Sequence, residues 1–118
     1  MLKPKGHYFG TEIDDKWWRR YMNNRLFARG AGEYWYDDER FYFRRYLTRM
    51  PIILHFRDVI DLKTGHWHAG RWGGRHPIIK FIWQQHGKRL GSGFLLSGQD
   101  DVTEQLLNEF RKNIQLRR

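Results

Sequence analysis

The chain of 118 residues contains no cysteine. That excludes disulfides, thiolate nucleophiles and cysteine-ligated zinc. It suits a reducing compartment, and a cytoplasmic location is the expectation. Long apolar runs are also missing: the longest, such as residues 51–54 and 94–96, are far too short to span a bilayer. No apolar run follows the basic residues 1–6, so no signal peptide is expected. Neither a Gly-x4-Gly-Lys-Ser/Thr loop nor a G-x-G-x-x-G turn is present, which removes the usual nucleotide-binding loops. Ser92 and Ser97 lack a nucleophile-elbow context. Acidic residues are absent from the whole of residues 62–99.

What is present is bulky and basic. Hydrophobic residues make up 40% of the chain, aromatics 17% and charged residues 30%, enough for one soluble core and too little for two. The formal net charge is +9. The acid-free segment holds Lys63, Arg71, Arg75, Lys80, Lys88 and Arg89 with four histidines. Such a segment creates positive potential wherever it reaches the surface, which favours an acidic protein or an anionic ligand. The alternative is a basic face that serves solubility alone.

Side-chain periodicity divides the chain. Between about residues 29 and 97 the period is two. Phe41 and Phe43 alternate with Tyr42 and Arg44, Ile52 and Leu54 with Ile53 and His55, and Ile79, Phe81 and Trp83 with Ile78, Lys80 and Ile82. Leu90, Ser92, Phe94 and Leu96 alternate with Gly91, Gly93 and Leu95. Turn residues bound each run, at Asp37-Asp38-Glu39, Thr48 to Pro51, Gly73-Gly74 and His86-Gly87. A further strand over 59–63, extending toward Trp67, precedes an exposed loop over 68–77. The glycines of Gly91-Ser92-Gly93 mark a bend or a close backbone approach.

A helix follows. Val102, Leu106, Leu107, Phe110 and Ile114 recur at helical spacing. Asp100 or Asp101 is the expected N-cap, with Glu104 reaching back as in a capping box. Near the N-terminus Ile13, Trp17, Trp18, Tyr21 and Met22 also fall on a helical stripe, which Asp14-Asp15 would cap. A short helix is the first expectation there and an extended arm the second. The predicted organisation is a single domain: an extension over 1–28 packs on a β-structure plus helix over 29–118. No internal repeat or low-complexity segment appears.

The order of these elements resembles the pleckstrin-homology superfold, including its GRAM and bacterial PH-like members. Gly30 to Tyr36 with Arg40 to Arg44 is similar to the opening hairpin of such domains. Pro51 to Phe56 with Asp58 to Leu62 is similar to the next strand pair, and 77–84, 88–97 and the helix complete the order. The resemblance covers roughly residues 29–115. It implies a mainly β (α+β) fold: an antiparallel split β-barrel of six to seven strands, capped by the C-terminal amphipathic helix, with a helical or extended N-terminal segment. Members bind phosphoinositides, peptides or proteins. The lipid-binding ones place basic residues around the first hairpin turn, where this chain has Asp37, Asp38 and Glu39.

Candidate chemistry concentrates in residues 66–76. His66-Trp67-His68 puts two imidazoles at alternate positions, with His76 beyond, and a metal-dependent enzyme would require the three to converge. The default is surface histidines, with no metal and no cofactor. The candidate ligand-binding set is His68, Arg71, Trp72, Arg75 and His76: forked guanidiniums and glycine-freed amides suit phosphate or carboxylate, and Trp72 suits a base or a membrane interface. Against it stands a hairpin connection with Trp72 folded back on the barrel. The acid pairs Asp14/Asp15, Asp37/Asp38 and Asp100/Asp101 lie at element boundaries and read as caps and turns. Trp17-Trp18-Arg19-Arg20 mixes rings with bases, as nucleic-acid sites do.

No catalytic residue emerges, so the expected function is non-enzymatic: a PH-like binding or scaffolding module for an acidic partner, with peripheral membrane contact one form of it. The second reading is single-stranded nucleic-acid binding, with Tyr42, Tyr46 and Trp83 as a stacking platform. A homo-oligomer formed through aromatic faces is a further possibility.

Overall fold

A computed structural model describes residues 3–20 and 29–117. The strands are β1 (Lys5–Ile13), β2 (Lys16–Arg20), β3 (Gly30–Tyr36), β4 (Arg40–Arg45), β5 (Ile52–His55), β6 (Val59–Gly65), β7 (Trp67–His68), β8 (Arg71–Trp72), β9 (Ile78–Gln85) and β10 (Lys88–Leu95). A single helix, α1 (Asp100–Leu116), follows, and a 3-10 turn over Phe56–Asp58 joins β5 to β6.

Eight strands form one antiparallel sheet. Seven of them hydrogen-bond in the order β5-β4-β3-β1-β10-β9-β6, and β2 folds back on β1. β7 and β8 pair separately. The two edge strands of the seven, β5 and β6, are consecutive in the chain and only three residues apart. Three residues reach roughly 10 Å, against nearly 30 Å across six flat inter-strand spacings. The sheet therefore curls until its edges approach at that end, although no ladder joins them.

Alternation places one face of this curl inward. Tyr8, Phe41, Phe43, Phe81, Leu90 and Phe94 are fully buried there. Phe41 lies 4.9 Å from Phe81 and 5.0 Å from Phe94, centroid to centroid. α1 closes this core with Leu106, Leu107, Phe110 and Ile114, and the Phe110 ring meets Tyr36, Phe41, Phe56 and Phe81. A buried polar chain crosses the core. Trp83 Nε1 donates to Ser92 Oγ at 2.9 Å, Ser92 Oγ lies 2.7 Å from Thr11 Oγ1, and Thr11 Oγ1 lies 2.5 Å from the Tyr8 hydroxyl.

Three expectations need correction. Residues 13–20 are not helical. Asp14 and Asp15 adopt positive φ (54° and 60°) and turn the chain from β1 into β2. Tyr21 and Met22 of the expected stripe lie outside the described residues. Second, residues 5–13, placed by sequence in the extension, are the central strand of the sheet. The pattern was hidden by a bulge: the register shifts between Tyr8 and Gly10, Gly10 has φ 106°, and four successive residues, 8–11, are buried. Third, Gln99 is the N-cap of α1 and makes no side-chain cap bond, so Asp100 and Asp101 sit in the first turn, favourable to the helix dipole. Among the described residues no helix is long and apolar enough to cross a membrane.

Candidate functional site

The stretch 68–77, expected as an exposed loop, instead begins within a short hairpin, and residues 66–77 together fold over the outer face of the sheet. His68 pairs with Arg71 and Trp67 with Trp72 across Ala69-Gly70. Both turn residues have positive φ (51° and 79°), the conformation of a tight two-residue hairpin. An L-residue such as Ala69 pays about 1 kcal/mol there, and three contacts hold it. Its N–H donates to Glu12 Oε2 at 2.7 Å, its carbonyl accepts from Arg29 Nη2 at 2.5 Å, and the residue is buried.

His68 carries the hairpin's inward anchor. Its ring lies against Gly93, where a Cβ would come within 2.6 Å of Cγ and Cδ2, so the glycine is a close approach, one of the two readings of the sequence. Nε2 lies 2.8 Å from the Gly91 carbonyl and 3.1 Å from that of Gly10. Carbonyls only accept, so the proton sits on Nε2 and Nδ1 presents a lone pair. Nδ1 is buried without a hydrogen-bond partner. Its neighbour Glu12 Oε1 is 3.8 Å away, too far for a hydrogen bond. Burial pushes the His68 pKa below its ordinary 6.5, and the Lys80 charge acts in the same direction. The Glu12 carboxylate and the two carbonyls oppose that shift.

Beneath the hairpin opens a cleft of about 590 Å³ lined by Glu12, Asp15, Lys63, Trp67, His68, Ala69, Gly70, Lys80 and Ile82. Lys63 and Lys80 stand directly opposite each other on β6 and β9. Asp15 is paired with Arg89 at 2.9 Å, whereas neither lysine has an ion-pair partner among the described residues.

The five residues singled out by sequence do not converge. His68 points into the cleft, and Trp72 is exposed rather than folded back, 59% accessible beside Trp67 at 61%. Arg71 places its guanidinium 5.8 Å from the Phe9 ring. Arg75 is exposed, and His76 Nδ1 lies 3.3 Å from Asp100 Oδ1 at the start of α1. The three histidines of the metal reading also separate, since His66 Nδ1 lies against the Gly74 carbonyl at 3.0 Å. Among the described residues no three potential ligands gather around one point. The stacking platform is not assembled either: Trp83 is in the core and Tyr42 stacks on Trp35 at 5.2 Å. Sequence reasoning missed Glu12, Lys63, Trp67 and Lys80 as cleft residues. The available signal was Lys80 itself, a cation alternating with isoleucines in β9.

No family model, curated protein or solved structure matches the chain.

Proposed function

We propose that the chain is a non-enzymatic, PH-like binding module that docks on an anionic membrane surface through the β7–β8 hairpin. Seven sheet strands, a three-residue passage between the two edges and a helix packed into the curl support a split barrel plugged by its C-terminal helix. The observation that carries the functional reading is the pair Trp67 and Trp72, opposed across a two-stranded ribbon and each more than half exposed. Paired exposed indoles on the outward side of such a ribbon suit the headgroup layer, where an amphipathic ring is stable. Arg71 and Arg75 flank them within a segment that has no acid to offset their charge.

The mechanism is electrostatic attraction followed by insertion of the indoles. Co-sedimentation with phosphatidylserine-containing vesicles, set against pure phosphatidylcholine, tests it. Binding is expected to need the anionic lipid and to weaken with salt. It should disappear in Arg71→Glu/Arg75→Glu. Vesicle binding unchanged by that double substitution would refute the assignment.

A further inference from the structure

The cleft under the hairpin contains an arrangement that opposes folding. At one end His68 Nδ1 and Glu12 Oε1 face each other at 3.8 Å, and both are acceptors, since the imidazole proton is on Nε2. Nδ1 is buried, and a buried acceptor left unpaired costs stability. At the other end Lys63 and Lys80 occupy directly opposed positions on neighbouring strands, a like-charge pair that disfavours the sheet. A glutamine at position 12 would keep an oxygen for Ala69 N–H and turn an amide N–H toward Nδ1. Apolar or acidic residues at 63 or 80 would remove the repulsion. A site that keeps unpaired acceptors at one end and unpaired cations at the other is shaped for something other than stability.

We propose that this cleft binds a short zwitterion, with a primary ammonium between His68 Nδ1 and Glu12 Oε1 and an anionic group held by Lys63 and Lys80. A hydroxyl brings one proton and leaves one acceptor unmet, whereas an ammonium donates to both and matches the carboxylate's charge. The lysines complement phosphate or carboxylate. Trp67 walls the cleft and also belongs to the proposed membrane contact, so an aminoethyl phosphate fits both features, either free or as a phospholipid headgroup. The inference uses side chains other than Arg71 and Arg75, and the two readings can fail separately.

The test is calorimetric titration of the intact protein with phosphoethanolamine. Ethyl phosphate, which lacks the ammonium, and N-acetylphosphoethanolamine, in which it is blocked, serve as comparisons. Phosphoethanolamine is expected to bind and the two comparison compounds to bind far more weakly. Glu12→Gln should fold with a melting temperature at or above that of the parent yet lose binding. Lys63→Gln/Lys80→Gln should weaken binding about thirtyfold or more, as removing two charge-assisted hydrogen bonds does. Lys112→Gln, on the exposed side of α1 away from the cleft, should titrate like the parent. Vesicles of phosphatidylcholine with and without phosphatidylethanolamine then identify the source: a gain with phosphatidylethanolamine points to the headgroup, and its absence beside binding of the free compound points to a soluble ligand. No heat with phosphoethanolamine at millimolar concentration, equal binding of ethyl phosphate, or undiminished binding by Glu12→Gln would each overturn the proposal.

Discussion

Ser92 is where a hydroxyl inside an aromatic core becomes a requirement. It accepts the Trp83 indole N–H and passes the chain on to Thr11 and Tyr8, with every member buried. Ser92→Ala leaves the indole donor and the Thr11 hydroxyl short of a partner, at a cost of about 1–3 kcal/mol, measurable by urea denaturation. One position on each side, the glycines answer to the opposite face. An added Cβ at Gly93 would press within 2.6 Å of the His68 ring, and that ring is fixed by two carbonyls. At Gly91 the nearest atom is the flexible end of Ile82, at 3.3 Å. Gly93→Ala is therefore expected to destabilise by about 1–3 kcal/mol and Gly91→Ala by clearly less. Thermal melts of the two variants give the comparison, and equal losses would mean that the ring yields.

At the scale of elements, what could be read from the sequence depended on whether one periodicity governed one segment. β4 alternates cleanly because one face meets the core and the other meets solvent, whereas β9 and β10 keep a period of two with both faces largely buried, the outer one under the stretch 66–77. α1 is legible for the same reason, its five apolar positions all facing the curl. Its docking is also concentrated: Phe110 is fully buried among four rings, so Phe110→Ala should cost about 3–5 kcal/mol. Loss of near-ultraviolet circular dichroism at a lower urea concentration is the expected readout. β1 was illegible because its bulge breaks alternation and because the outer face near Phe9 is covered by the stretch 66–77. The helical stripe of Ile13, Trp17 and Trp18 was a coincidence of hairpin geometry, with positive φ at Asp14 and Asp15 deciding against it. The cleft was the least accessible feature. Its acceptor pair joins residues 56 positions apart, on β1 and β7, and its lysines meet only through the β6–β9 register. The individual residues were visible, but their adjacency is a product of topology.

For the molecule as a whole, the lowered pKa values of His7 and His68 are expected to limit stability in mild acid. Burial lowers the His7 pKa below 6.5, and Arg71 and Arg29 reinforce that shift. His68 is lowered chiefly by burial, with Glu12 on β1 opposing and Lys80 on β9 assisting. Lys63 on β6 and Asp15 at the β1–β2 turn line the same cleft. Both imidazoles are neutral in the fold while their unfolded counterparts begin to take up protons near pH 6.5. Below that pH the unfolded chain binds more protons, and stability falls as pH drops toward the lowered folded values. Each such proton tilts the balance by about 1.4 kcal/mol per pH unit within that window. Above pH 7 neither group contributes a slope. The Asp37 carboxyl, held low mainly by the Glu39 backbone N–H, adds its own loss only below its ordinary 3.8, so the two windows are separable. Equilibrium denaturation from pH 7.5 down to 5 should show a progressive loss of stability that His7→Gln and His68→Gln each reduce. A flat profile in the parent would mean that the buried rings accept protons at no cost. A loss unaltered by both substitutions would place the acid sensitivity in the repulsion of a chain already carrying +9.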